Sequence, residues 1–289
     1  MTRTKNLRVC FSGGKTSAYM TYKILNNLDS LPYQNVAVVF ANTGQEHDKT
    51  LDFVHNCDKH LGFNTIWIEA NVIYEKGKGT QSKVVDYVTA SRDGRPFEDI
   101  IKKYGIPSLN FPHCTRELKL NPLHHYTKHV LGWKDYDNAI GIRTDETRRV
   151  SKSAAKNGIV YPLVDWFPSD KEDVNLFWED MSFNLGILEH QGNCKWCWKK
   201  SLKKHFLNLE ENPNWYDFPE KMEQKYSKVR ADKEGKPHYF FRGYKSTKML
   251  REEFENTREI IKQVPINFDQ DVGTCSESCE IFEMEDSKQ

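Results

Sequence analysis

Two groups of residues in this chain have the types and spacing to do chemistry. The first is Ser12-Gly13-Gly14-Lys15-Thr16-Ser17, which follows the short apolar run Leu7-Arg8-Val9-Cys10-Phe11. Ala18, Tyr19, Met20, Tyr22, Ile24 and Leu25 come next and form one apolar helical face. Two glycines therefore sit at a strand-to-helix junction. Such a junction leaves backbone N–H groups unpaired at a helix start, where the macrodipole favours an anion. Glycine lets the backbone bend and come close to a ligand. The Lys15 ammonium would add a point charge, and Ser12, Thr16 and Ser17 could donate hydroxyl hydrogen bonds. The tail Gly14-Lys15-Thr16 imitates the end of the common ATP loop, G-x-x-x-x-G-K-[ST]. That pattern requires glycine where this chain has Val9, so the common loop is excluded.

The second group is the cysteines. Their count is seven, and Cys194-x-x-Cys197 and Cys275-x-x-x-Cys279 are closely spaced pairs. Two intervening residues let both sulfurs of the first pair face one metal from a tight turn. The late pair lies among Glu277, Glu280 and Glu283, whose charge disfavours a thiolate. Tyr239-Phe-Phe-Arg-Gly-Tyr-Lys245 interleaves aromatics with cations, a pattern that stacks a base and holds a phosphate, or else simply packs. Lys195, Lys199, Lys200, Lys203 and Lys204 crowd one stretch, either as a functional patch or as a solvated helix face.

The elements that must position these residues alternate. Val36–Ala41 is a continuous apolar run, as in a strand buried on both faces. Thr43 and Glu46 have capping-box spacing for a helix carrying Leu51, Val54, Cys57 and Leu61. Residues 64–69 read as a third strand, 137–142 as a fourth and 161–164 as a short fifth. Residues 71–112 lose the rhythm and read as an excursion over the sheet's edge with one short helical stretch. Residues 115–130 read as a helix broken at or near Pro122. Ser169 and Glu172 set a capping box for a helix running to about Leu185. The expected fold is α/β: a doubly wound, mostly parallel five-stranded sheet with helices on both faces, plus a helical C-terminal extension. The expected units are a nucleotide-binding domain with a cysteine centre over residues 1–205, and a helical extension with a polar tail over 206–289. The last 20 or so residues carry few apolar side chains and are expected to be mobile. In such sheets ligands sit beyond the carboxyl ends of the strands. Ser12–Ser17, Asn42–Gly44 and Gly141–Arg143 all fall there.

The net charge of +1 gives no global basic field for nucleic acid. No apolar run is long enough to cross a membrane, and the chain enters a strand almost at once. A cytoplasmic protein without a disulfide framework is expected.

Ser12–Ser17 resembles the PP-loop of the adenine-nucleotide alpha-hydrolase superfamily, S-G-G-x-D-S. Together with Phe40–Gly44, His113-Cys-Thr-Arg-Glu-Leu-Lys119, Gly141–Glu146 and Gly192-Asn-Cys-Lys-Trp-Cys197, it is similar to the phosphoadenosine phosphosulfate reductase family. The likeness is greatest to members found in phages and mobile elements, and it covers about residues 7 to 205. It implies an enzyme that binds ATP or an adenylyl sulfate-type nucleotide. Ser12, Gly13, Gly14, Lys15, Thr16, Ser17, Asn42, Thr43, Gly44 and Arg143 would be its binding residues, with Asn42–Gly44 on the adenosine and Arg143 on a phosphate. Lys15, Ser17 and Arg143 are the candidate catalytic residues. It also implies that Cys114 approaches Cys194 and Cys197. These three could hold a [4Fe–4S] cluster, or zinc completed by His113, His190 or a late cysteine; buried unmetallated thiols are the third reading.

Two departures shape the expected reaction. Thr16 stands where the loop's acid belongs, so Mg²⁺ would need another partner, with Glu46, Asp145 and Glu146 as candidates. Cys279 lacks the C-terminal pattern of the reductases. Sulfur transfer or ATP pyrophosphatase chemistry therefore ranks above sulfonucleotide reduction, and a non-catalytic nucleotide- or nucleic-acid-binding subunit with a structural metal is the alternative. The sequence leaves the acceptor open among tRNA, DNA, a small metabolite and another protein, and it leaves a homodimer open.

Overall fold

A computed structural model describes residues 6–75, 77–230 and 235–263, with side chains to 258. The chain runs β1 (Asn6–Cys10), α1 (Lys15–Leu25), β2 (Asn35–Asn42), α2 (Asp48–Leu61), β3 (Ile66–Val72), β4 (Thr80–Val85) and α3 (Arg95–Tyr104). It continues through α4 (Asn121–His125), β5 (Asp137–Ala139), β6 (Ile159–Val160), α5 (Pro162–Asp165) and α6 (Lys171–Glu179). Three helices follow: α7 (Leu202–Glu211), α8 (Asp217–Tyr226) and α9 (Thr247–Gln263).

The sheet has six strands in the order β4-β3-β2-β1-β5-β6, parallel throughout except for the β3–β4 pair. Strand pleating sends alternate β2 residues to opposite faces. Val38 and Phe40 pack into a core with Leu51, Val54 and Trp178, contributed by α2 and α6. Ala37, Val39 and Ala41 pack against Leu123 and Tyr126 on the other face. This two-sided burial is what the unbroken apolar run of β2 requires.

The extra strand is β4, inside the stretch read as an excursion. It pairs antiparallel with β3, from Trp67 with Val85 to Val72 with Thr80. Ser82 and Lys83 leave its pattern too polar to stand out, which is usual at an edge. The short fifth strand was expected at 161–164. The pairing residues are instead Ile159 and Val160, and Pro162 opens a helical turn. Proline has no N–H to give a ladder, while its fixed φ suits a first helical position.

Pro122 does not break its helix. Arg116–Leu120 and Tyr126–Val130, on either side of α4, take π-type turns. The wider turn accommodates the missing donor without ending the helix. Helix α6 is capped by Asp170 with Asp173, one residue later than the expected Ser169 and Glu172, and it ends at Glu179. Thr43 and Glu46 do bond, but the cap of α2 is His47.

A further core forms around Trp196. Its ring stacks with Phe218 of α8 and meets Phe240 edge-on. Phe97 of α3 and Phe206 of α7 join the same cluster. The C-terminal helices thus pack directly on the Cys194–Cys197 segment. Among the described residues no helix is long and apolar enough to cross a membrane. The tail expected to be mobile, with Cys275 and Cys279, lies outside the described residues.

Candidate functional site

The loop after β1 is held tightly. Phe11 N donates to Val39 O at 3.0 Å, extending the β1–β2 ladder by one bond. Ser17 Oγ donates to Gly14 O at 3.0 Å and accepts from Ser12 N at 3.2 Å. That uses its one hydrogen, so the Ser12 hydroxyl donates in the 2.9 Å Ser12–Ser17 contact. Gly13 has φ +80°, and a Cβ there would lie 2.7 Å from Thr50 Cγ2. Only glycine fits. On the far side, a Cβ on Gly141 would lie 3.2 Å from Ser17 Cα, so the segment after β5 presses against the start of α1. Gly14 is the N-cap of α1, without a side-chain cap and with no acid in the first turn. The positive end of an eleven-residue helix therefore opens onto the loop. Trp178 fixes that end by donating from Nε1 to Lys15 O at 3.0 Å.

Above the loop lies a cavity of about 150 Å³. Ser12, Gly13, Gly14, Thr16, Ser17 and Arg143 all line it. So do the side chains of Glu46, Lys119, Glu146 and Arg149, with the backbone of Gly192 opposite. Arg143 is buried and chelated by Asp145, from Nε to Oδ1 at 2.9 Å and from Nη2 to Oδ2 at 2.8 Å. Its Nη1 donates to Thr16 Oγ1 at 3.2 Å and lies 3.6 Å from Glu146 Oε2. The Arg143 hydrogen bond holds the Asp145 carboxyl below the usual carboxylate range. Glu146 also pairs with Arg149.

Four expected binding residues sit elsewhere. Lys15 is buried but is not among the lining residues. Burial pushes its ammonium's pKa down and Glu179, at the end of α6, pulls it up. Asn42 is fully buried, donating to Glu69 Oε1 at 2.7 Å and Ser91 O at 2.9 Å. Its Oδ1 accepts from Gly44 N, and Gly44, at φ +77°, packs against the backbone of Gly94. These two residues organise the turn after β2. Thr43 faces a second, smaller cavity.

That cavity, of about 20 Å³, is lined by Cys114, Cys194 and Cys197 together, with Thr43, Thr115 and Trp198. The turn carrying the cysteine pair is docked on the loop after β2. Lys195 N donates to Gln45 O at 2.8 Å, Trp196 Nε1 donates to Gln45 Oε1 at 2.5 Å, and Thr43 Oγ1 lies 3.5 Å from Cys194 Sγ. Among the described residues no three His, Cys, Asp or Glu side chains are arranged to hold a metal ion. The surroundings nevertheless suit a sulfur-rich group. Thr115 and Trp198 line the cavity, and their Oγ1 and Nε1 atoms are buried without a hydrogen-bond partner. Orphaned donors beside three thiols are the complement of thiolate or sulfide acceptors. A space this size takes one ion, being close to that of one water; a larger cluster requires the side chains to open.

His113 donates from Nδ1 to Phe111 O at 3.1 Å, leaving Nε2 a buried acceptor without a hydrogen-bond partner. Burial pushes its pKa down to about 4. His190 instead meets Glu211 Oε2 at 2.8 Å. Lys119 is the described residue that lines both cavities. It and Arg149 have no role in the reading of the sequence; only the spacing of Lys119 from Cys114, along the same helical start, could have marked it.

No family model matches the chain. Over 286 residues it is 32% identical to the "Uncharacterized nin region protein ORF290" of Escherichia phage lambda, covering 95% of this chain and 94% of that protein. It is also similar to two proteins of Methanocaldococcus jannaschii. "Uncharacterized protein MJ0066" is 26% identical over 166 residues, 57% of this chain and 28% of that protein. "Uncharacterized protein MJ0973" is 27% identical over 180 residues, 59% of this chain and 36% of that protein.

Proposed function

Taking as premise that the chain belongs to the family of the phage lambda nin region protein ORF290, we propose that it is an adenine-nucleotide-dependent enzyme of the PP-loop, phosphoadenosine phosphosulfate reductase-like type. Its sheet is read as doubly wound, with the site at the point where the strand order reverses between β1 and β5. One observation carries the proposal: the cavity over Ser12–Gly14 adjoins the cavity lined by Cys114, Cys194 and Cys197, with Lys119 on the wall of both.

The favoured reaction is ATP pyrophosphatase or sulfurtransferase chemistry. An acceptor oxygen attacks the α-phosphorus of ATP and pyrophosphate leaves. A sulfur or nitrogen nucleophile then displaces AMP from the activated acceptor. The N–H groups at the start of α1 and the hydroxyl of Thr16 would hold phosphate oxygens. Arg143, Arg149 and Lys119 would stabilise the charge that develops on pyrophosphate. Mg²⁺ would supply further neutralisation there, with Glu46 and Glu146 the acids on the cavity wall. A cysteine-held iron–sulfur or zinc centre would supply sulfur handling or structural support; Thr115 and Trp198 would donate to its sulfurs. Lys15 is reassigned as a structural partner of Glu179.

Calorimetric titration with Mg²⁺ATP and with adenosine 5′-phosphosulfate tests the nucleotide site, and metal content with a visible spectrum after anaerobic purification tests the thiol site. Saturable binding of either nucleotide is expected. Protein that binds neither at millimolar concentration overturns the proposal. A second reading, a nucleotide-binding accessory subunit without turnover, is favoured by Thr16, which brings no charge to the loop. Pyrophosphate release from ATP in the presence of an acceptor separates the two.

A further inference from the structure

Two tight turns meet, and both are close, in sequence or by contact, to the segments that carry the thiols. Ser108 and Phe111 pair across the first, through Ser108 N to Phe111 O at 3.3 Å and Phe111 N to Ser108 O at 3.1 Å. Phe241 and Lys245 pair across the second, through Phe241 N to Lys245 O at 3.2 Å. Asn110 Nδ2 reaches Tyr244 Oη at 3.4 Å, so the tips touch. Both turns lead to the thiols: Phe111 lies three residues before Cys114, and Arg242 donates to the carbonyl of Lys199, two residues after Cys197.

The second tip is built to face outward. Tyr244 has φ +58° directly after Gly243 at +73°. Bulky residues rarely adopt this left-handed region, and the ring is 69% exposed. The turn is anchored rather than loose, because Glu223 accepts from Phe240 N at 3.1 Å and Thr247 N at 2.7 Å, at its two ends. Leu109 is 60% exposed beside it. The guanidinium of Arg242 meets a neutral carbonyl, and the Lys199 ammonium lies 5.7 Å from the centre of the Trp198 ring. An exposed aromatic ring in an anchored turn that also carries Arg242 complements a base and its phosphate.

We propose that this rim binds single-stranded nucleic acid, with one base stacked on Tyr244 and the adjoining phosphates on Arg242 and Lys199. It rests on the reading above for its role, which is to bring an acceptor strand to the thiol cavity. The binding itself is independent of that reading.

Fluorescence anisotropy with labelled 12-nucleotide single-stranded RNA, single-stranded DNA and duplex DNA tests it on the full chain. Saturable single-strand binding is expected. Tyr244→Ala should weaken it about tenfold, within the range for loss of one stacked base, and Tyr244→Phe should retain most of it. Arg242→Ala should lower the slope of log affinity against log salt by about one contact. Which single strand binds tighter identifies RNA or DNA as the source. No saturable binding, equal binding of duplex, or wild-type affinity in both alanine variants overturns the proposal. Titration of the same samples with Mg²⁺ATP and adenosine 5′-phosphosulfate separates the failures: oligonucleotide binding without binding of either nucleotide sinks the enzyme reading alone, and the reverse sinks this one alone.

Discussion

Arg143, after β5, meets Thr16, in the first turn of α1, on the wall of the larger of the two cavities, Nη1 donating to Oγ1 at 3.2 Å. The other edge of the guanidinium is occupied by Asp145, so the group is aimed before any ligand arrives. In the proposed reaction a preorganised charged donor of this kind contributes about 3–4 kcal/mol where charge develops. Arg143→Ala should therefore lower turnover roughly 10²–10³-fold, with a smaller loss of nucleotide affinity. The carboxyl pKa of Asp145, followed by NMR, should rise when its partner is removed. Unchanged turnover with an unchanged Asp145 would remove Arg143 from the site.

Gly13 predicts a backbone effect separable from a steric one. Gly13→Ala places a Cβ against Thr50 Cγ2 and forces alanine to φ +80°. Together these should cost about 2–4 kcal/mol. For a chain of this size that is a fall in Tm of about 4–16 °C. Adding Thr50→Ser removes the clashing methyl and should recover part of the loss, leaving the backbone component. Full recovery in the double variant would show that φ carries no strain.

How much of this was legible in the sequence depends on what each residue answers to. The β1–loop–α1 unit and the buried β2 were legible because glycine and unbroken apolar runs have few alternative uses. The meeting of Cys114 with the Cys194–Cys197 turn was legible only through resemblance, since spacing along the chain cannot place an upstream helix start. The edge strand β4 was not legible, because half-buried Ser82 and exposed Lys83 and Val84 carry no alternating pattern. Lys15 is absent from the lining residues for a geometric reason. Its neighbours Thr16 and Ser17 line the cavity, but each helical residue turns about 100° from the next. Asn42 and Gly44 were placed at the right strand end, but their polar groups are consumed by Glu69, Ser91 and the local turn.

Lys119 predicts coupling between the two cavities. A cation on both walls should respond to charge in either. Lys119→Gln should weaken Mg²⁺ATP binding by about tenfold, the scale of one lost charge-assisted hydrogen bond. In protein loaded with iron and sulfide it should also shift the visible spectrum of the thiol centre. Loss of one effect without the other would assign Lys119 to a single cavity.

The last prediction concerns acid. His205 is buried, with Nδ1 2.8 Å from Tyr216 Oη, and Tyr216 Oη donates to His205 O at 3.2 Å. Burial pushes its pKa down to about 3, with Lys200 and Arg242 adding to the shift. The unfolded chain protonates this histidine near pH 6.5, while the folded chain keeps it neutral. The folded state is therefore favoured in full above pH 6.5. That contribution is lost as pH falls from 6.5 toward about 3, with a slope approaching 1.4 kcal/mol per pH unit for one proton. His113, lowered to about 4 by burial, adds a second proton over the upper part of the same window. Denaturant unfolding at pH 7, 6, 5 and 4 should show stability falling throughout. His205→Gln should start less stable, because its ring packs edge-on against Phe241, and should lose less per pH unit. An identical slope in the variant would show that His205 is not the group taking up the proton.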